Sequence, residues 1–331
     1  MILAPFTLHR PESLADALSL AAKLPDGGFD WIGGGTDLLQ NYKNRLNAKD
    51  HVIALDRVPE MRGISAERIG AGERLAVISE SAVVRERWPG LAEAITHVAS
   101  PLIRNSGTLG GNLLVETRCY YFNQTPFWRG TKGSCMKAES DECLVVPQKE
   151  ICYAAYSGDL APILGVLSAT LELASPAGTR EVRIDEFYAG DGIHKNVKRA
   201  DEIIVGVKVP AESSTLRAGY RKLRHRDALD YPEMGCAAAL RLDASGRIEL
   251  LRAATTAVDV VPHFVDFTEQ MRGQEPDTAF AEVAAAMEER AQPKKNTSMP
   301  VGYRKKMVRV YLGRLLDDLR AGRTEGRIPA A

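Results

Sequence analysis

The chain has 331 residues, 45% of them hydrophobic and 26% charged, enough apolar material for about two packed domains and too much for a disordered or fibrous chain. Its 43 Lys and Arg balance 43 Asp and Glu, and this zero net charge argues against a dedicated nucleic-acid binder, which needs a basic face to displace phosphate counterions. No apolar run approaches the ~20 residues of a membrane span, and Met1 to Arg10 lacks a basic head followed by an apolar core, so no membrane contact, no secretory signal and a cytoplasmic location are expected.

Pro11 to Leu24 reads as a first helix, with Leu14, Ala17, Leu18 and Ala21 at helical spacing. Phe29 to Ile32 reads as a short strand running into Gly33-Gly34-Gly35-Thr36-Asp37-Leu38. His51 to Asp56 and Arg68 to Ser79 read as further strands, the latter broken by Gly70 and Gly72. Trp88 to Val98 has helical periodicity that Pro101 stops, and a second glycine loop, Ser106 to Asn112, comes next. Ala169 to Ala174, Arg180 to Ile184 and Glu202 to Val209 are strand-like, closed by Pro210. Gly219 to Leu223, Gly235 to Leu242 and Ile248 to Thr255 suggest a small antiparallel sheet. Helices over Asp277 to Ala291 and about Pro300 to Leu319 complete the chain, with a domain boundary expected near residues 210–216.

Neither glycine loop fits G-x-G-x-x-G or G-x-x-x-x-G-K-[ST], so a Rossmann fingerprint and a P-loop are both unsupported. Glycines still let a backbone turn sharply and present consecutive N–H groups to an anion, and Thr36, Thr108 and Asn112 add side-chain donors. Each loop alone is also what an ordinary turn looks like; two together raise the case for a phosphate-containing cofactor. Asp159, in Ser157-Gly-Asp-Leu-Ala-Pro162, reads as a turn-former or helix cap, and Arg217, Arg221, Lys222, Arg224 and Arg226 read as a solvated strand face. The six histidines are dispersed, and there is no H-E-x-x-H or G-x-S-x-G motif, so no catalytic side chain stands out.

Four of the five cysteines, Cys119, Cys135, Cys143 and Cys152, fall in one window with spacing C-x15-C-x7-C-x8-C. Three readings are open: an iron–sulfur cluster held by a wrapping loop, a zinc site lacking the usual paired knuckles, or unligated or disulfide-bonded cysteines. Five aromatic side chains between Tyr120 and Trp128 offer an apolar wrapping for a cluster, or simply pack an irregular loop. Cys236, in Met-Gly-Cys-Ala-Ala-Ala-Leu, reads as a buried thiol without a role.

The succession Ile32-Gly-Gly-Gly-Thr-Asp-Leu38, Ile103-Arg-Asn-Ser-Gly-Thr-Leu-Gly-Gly-Asn112 and Gly158-Asp-Leu-Ala-Pro162 resembles the FAD-binding subunits of the xanthine dehydrogenase family of molybdenum hydroxylases, over nearly the whole chain. About 40 residues containing the four cysteines are inserted after the second loop, and this insertion is similar to that of the 4-hydroxybenzoyl-CoA reductase branch, where it holds a [4Fe-4S] cluster. The resemblance implies an α+β fold: a two-part FAD-binding domain of the vanillyl-alcohol oxidase (PCMH) type over 1–213, with subdomains of about 1–57 and 58–213. The cysteine loop lies at about 115–154, and a small C-terminal domain of the CO dehydrogenase flavoprotein type spans 214–331. It implies FAD on Trp31, Ile32, Gly33, Gly34, Gly35, Thr36, Asp37 and Leu38 and on Thr108, Leu109, Gly110, Gly111 and Asn112. Val98, Asp159, Lys222 and Ile204 (or Ile203) are implied as further contacts, and Cys119, Cys135, Cys143 and Cys152 as ligands of the [4Fe-4S] cluster. The implied partners are a large molybdopterin subunit and a small subunit with two [2Fe-2S] clusters, as a dimer of heterotrimers. A ferredoxin donor would feed electrons in for reductive dehydroxylation; the same relay run outward, in another hydroxylase, is the alternative. A zinc-stabilised binding module without enzymatic role is the second alternative.

Overall fold

A computed structural model describes residues 3–138, 140–148 and 150–323. The expected spans 1–213, 115–154 and 214–331 include Met1, Ile2, Glu139, Lys149 and residues 324–331, which lie outside the described residues.

Three sheets organise the chain. The first holds parallel strands β1 (Thr7–His9), β2 (Phe29–Ile32) and β3 (His51–Ala54) in the order β1-β3-β2, with His51 paired to both Thr7 and Phe29. Parallel neighbours need crossovers, and the helices Leu14–Ala21 and Leu38–Lys43 supply them. Ser13 starts the first helix, its hydroxyl accepting from the Asp16 N–H at 3.1 Å. The glycine loop leaves the carboxyl end of β2, the end of a parallel sheet where ligands sit.

The second sheet is antiparallel: β4 (Arg68–Gly70), β5 (Thr170–Ser175), β6 (Gly178–Arg183) and β7 (Ile203–Lys208), ordered β4-β7-β5-β6. The strand expected over Arg68 to Ser79 is shorter. It ends at Gly70, and Leu75–Glu80 is a helix because Leu75 and Ile78, three residues apart, both bury into the core. Pro101 does not stop the preceding helix, which already ends at Thr96. It opens a short helix, Pro101–Arg104, at the position where a missing N–H is no loss.

The third sheet is antiparallel, ordered β11-β10-β9-β8 from β8 (Arg217–Leu223), β9 (Met234–Leu242), β10 (Ile248–Thr256) and β11 (His263–Asp266). Alternation along β9 sends Ala237 and Ala239 into the main core and Cys236, Ala238 and Leu240 into a second core with helices Pro276–Arg290 and Val301–Arg320. Both faces of β9 are covered, which is why it reads as small apolar residues without polar alternation. Cys236 is fully buried in that second core, apart from the other four cysteines, and burial pushes its thiol up to about 12. The basic run is not a solvated face: Arg221 and Lys222 are buried, Arg221 pairs with Asp318 of the last helix, Arg224 donates to the His97 carbonyl at 2.9 Å, and only Arg217 and Arg226 of the run are exposed. Among the described residues no helix is long and apolar enough to cross a membrane.

Candidate functional site

The two glycine loops lie back to back. A Cβ at Gly33 would meet Thr108 Oγ1 at 2.6 Å, and one at Gly34 would meet the Ser106 carbonyl oxygen at 1.8 Å, so side chains at these positions are excluded by the other loop. Gly35 has φ of +70°, the left-handed region that favours glycine. Thr108 caps the short helix Leu109–Leu113, its Oγ1 accepting from the Gly111 N–H at 3.2 Å, and Asn112 Oδ1 accepts from the Leu160 N–H at 3.0 Å. The second loop is thereby held against the helix Leu160–Val166.

Between the loops and the third sheet lies a cavity of about 800 Å³. Every residue from Trp31 to Leu38 lines it, as do Thr108, Gly110, Gly111, Asn112, Val98, Asp159, Ile203, Ile204 and Lys222. Leu109 does not; its side chain is buried in the main core, so only its backbone belongs to the loop. Trp31 Nε1 and Ser157 Oγ, both from residues lining this cavity, are buried without a partner in the protein. Orphaned donors beside a glycine-lined cavity fit a ligand carrying acceptors, and diphosphate is such a group.

Asp159 occupies the N-cap position of Leu160–Val166 but makes no capping bond. Its carboxylate instead accepts from Tyr220 Oη at 2.8 Å and pairs with Lys222 Nζ at 3.0 Å, and Lys222 Nζ also donates to the His97 carbonyl at 3.0 Å. Burial of Lys222 lowers its pKa, opposed by Asp159. Lys222→Met is expected to cost about 3–5 kcal/mol, because it strands a buried carboxylate. Denaturant unfolding measures this, with Lys222→Met/Asp159→Leu expected to recover much of the loss; a cost below about 1 kcal/mol would contradict the pair's role.

Asp37 does more than line the cavity. It accepts from Arg118 Nη2, from the Glu116 N–H at 3.0 Å and from Tyr231 Oη at 3.2 Å, while the Arg118 guanidinium lies 4.2 Å from the Tyr231 ring centre. Arg118 and Tyr231 carry no motif and were not legible in the sequence. They matter because Arg118 precedes Cys119 and so ties the first glycine loop to the cysteine insertion.

The insertion leaves the fold through paired Arg118 and Ala155, and Cys152 is anchored by its N–H to Asp191 Oδ2 at 3.0 Å and its carbonyl to the Gly192 N–H at 2.8 Å. Cys119, Cys135, Cys143 and Cys152 are all buried, none is in a disulfide, and all four line one small pocket with Phe122, Lys137 and Val145. Burial, with the neighbouring thiols adding to it, pushes Cys119 up to about 12, and burial likewise raises Cys152 to about 11. Among the described residues no group of three or more His, Cys, Asp and Glu side chains is placed to hold a metal ion. The four thiols are ligands of the kind an iron–sulfur cluster takes, and Phe122, Leu144 and Val145 give them apolar neighbours.

Residues 4–212 match the family described as the FAD binding domain in molybdopterin dehydrogenase, and residues 218–319 match the CO dehydrogenase flavoprotein C-terminal domain. The chain is 33% identical to the aldehyde oxidoreductase FAD-binding subunit PaoB of Escherichia coli K12, covering 74% of this chain and 80% of that one. It is 30% identical to the xanthine dehydrogenase FAD-binding subunit of Escherichia coli O157:H7, covering 81% and 79%. The fold is similar to carbon monoxide dehydrogenase from Hydrogenophaga pseudoflava, with a TM-score of 0.79 at 24% identity over 97% of this chain and 99% of that chain. The expected fold, an FAD-binding domain followed by a CO dehydrogenase flavoprotein-type C-terminal domain, is the observed one.

Proposed function

Since this chain belongs to the FAD-binding subunits of the xanthine dehydrogenase and CO dehydrogenase family of molybdenum hydroxylases, we propose that it is the electron-relay subunit of such an enzyme, with an iron–sulfur centre of its own beside the flavin. The observation that carries this reading is the glycine-lined cavity tied through Asp37 and Arg118 to four buried, unpaired cysteines. FAD supplies the interchange of electron pairs and single electrons, chemistry no side chain offers. The chain's residues position it: the N–H groups of the two glycine loops bind diphosphate, Asp159 and Lys222 hold a fixed charge pair at the cavity wall, and Ile203 and Ile204 exclude water. No side chain here is assigned an acid or base role. Cys119, Cys135, Cys143 and Cys152 are the proposed ligands of a [4Fe-4S] cluster.

Substrate chemistry then belongs to a large molybdopterin subunit, and a small iron–sulfur subunit completes the assembly. The domain division proposed is 1–213 and 214–331. The relatives are named as subunits of an aldehyde oxidoreductase and a xanthine dehydrogenase, and the dehydrogenase supports electrons running outward through the chain. The C-x15-C-x7-C-x8-C insertion favours a second reading, a 4-hydroxybenzoyl-CoA reductase fed by ferredoxin. Protein purified without oxygen should show flavin absorbance with about four irons per chain and no stoichiometric zinc; zinc without iron would refute the relay. Bleaching of the flavin in the holoenzyme by an aldehyde or a purine selects the first reading, and 4-hydroxybenzoyl-CoA consumption driven by reduced ferredoxin selects the second.

A further inference from the structure

Lys137 lies between Cys135 and Cys143 in the chain and lines their pocket, with its side chain only 4% exposed. Its Nζ donates to Glu116 Oε1 at 2.5 Å and to Thr117 Oγ1 at 2.7 Å, and sits 4.7 Å from the centre of the Phe122 ring. The other oxygen of the same carboxylate, Glu116 Oε2, accepts from Lys195 Nζ at 2.7 Å. Glu116 and Lys195 both line the flavin cavity. One carboxylate is therefore shared by two ammonium groups, one in the wall of each pocket. Burial opposes ionisation of Glu116, but the two lysines outweigh it and hold its pKa at about 2. The three groups carry one net positive charge.

We propose that Lys137, Glu116 and Lys195 form a fixed electrostatic bridge that sets the reduction potential at the cysteine pocket relative to the flavin cavity. This rests on the reading of the four cysteines as an iron–sulfur site. When such a site gains one electron, its total charge falls by one unit with no proton required. Lys137, the buried cation in the pocket's lining, stabilises that extra charge and raises the potential, while Glu116 works in the opposite sense and offsets it. Lys195 keeps Glu116 ionised and places compensating charge on the flavin side. These are positioning residues: their effect is carried by charge, not by contact with the reacting atoms.

A role in packing alone would make both lysine and glutamate substitutions act alike, whereas a role in charge makes them act oppositely. Potentiometric titration of the anaerobically purified holoprotein, followed by electron paramagnetic resonance, separates the two. Lys137→Gln should shift the cluster's midpoint to lower potential, with the reduced-to-oxidised ratio at a fixed applied potential falling about tenfold. Glu116→Gln, which keeps the shape and most hydrogen bonds, should shift it to higher potential. Iron and flavin contents should match the unmodified protein in both. Unchanged midpoints, or shifts in the same direction, overturn the bridge. Should Lys137→Gln fail to retain iron, the sign of the Glu116→Gln shift decides. Absence of iron from the unmodified protein would instead remove the underlying assignment, a separate and recognisable failure.

Discussion

Cys135→Ser is expected to abolish the iron signal of the protein while leaving the flavin bound. Cys135 is buried in a small apolar cluster that the insertion builds with Leu46, together with Phe122 and Ala154, and it lines the cysteine pocket. Apart from Val115 and Glu116 at the start of the insertion, the flavin cavity draws its walls from elsewhere, including the two glycine loops, Asp159, Ile204 and Lys222. Removing one of four thiolates leaves a cluster one bond short. Serine is close to cysteine in volume, so the pocket does not collapse. Iron analysis, electron paramagnetic resonance and flavin absorbance on the same sample check the prediction. Electron delivery to or from a protein partner should fall by more than about a hundredfold, while dithionite should still reduce the flavin. Full iron content in this variant would remove Cys135 from the ligand set.

Gly34→Val is expected to empty the flavin site. Its Cβ would lie 1.8 Å from the Ser106 carbonyl oxygen, 2.4 Å from the Ser106 carbonyl carbon and 2.9 Å from Gly107 Cα. These are backbone atoms that cannot rotate away, so the two loops must part and the cradle for the diphosphate opens. The overpacking costs about 1–3 kcal/mol in stability, and flavin content should drop below about a tenth of the unmodified level. Gly111 offers the comparison: a Cβ there meets only Thr108 Oγ1, at 3.0 Å, and the residue is exposed. Gly111→Val should fold with little loss and still bind flavin poorly, because its side chain points where the ligand approaches. Stoichiometric flavin in both variants would show that the loops are ordinary turns.

Much of the site could be read from sequence because its parts are local. Three consecutive glycines after an apolar strand, and Thr-Leu-Gly-Gly-Asn at a helix start, depend on backbone freedom and capping within a few residues. The cysteines were conspicuous through their density alone. Arg118, Tyr231, Glu116 and Lys195 were invisible, since each is an ordinary charged or aromatic residue until the fold sets it beside a partner. Tyr231 reaches Asp37 across 194 positions of chain, and Lys195 reaches Glu116 across 79. The residues alone read Lys222 as a solvated cation for the same reason, although the resemblance set it beside the flavin; it lines the cavity, buried against Asp159 63 positions away.

The sequence by itself determined the two loops, the cysteine insertion and the isolation of Cys236, because these follow from spacing and glycine geometry, while it missed β1, β11 and the helices Leu38–Lys43 and Leu160–Val166. It also carried β9 as a strand, while the burial of both its faces came from the packing of two cores against it. The tertiary structure alone decided that Leu75–Glu80 is helix and not strand, and that Pro101 begins a helix. Short segments take whichever conformation buries their apolar side chains, and local propensity is too weak to choose. It alone decided which charges meet. An ion pair depends on distances between segments remote in sequence, and those distances exist only once three sheets and their helices have packed.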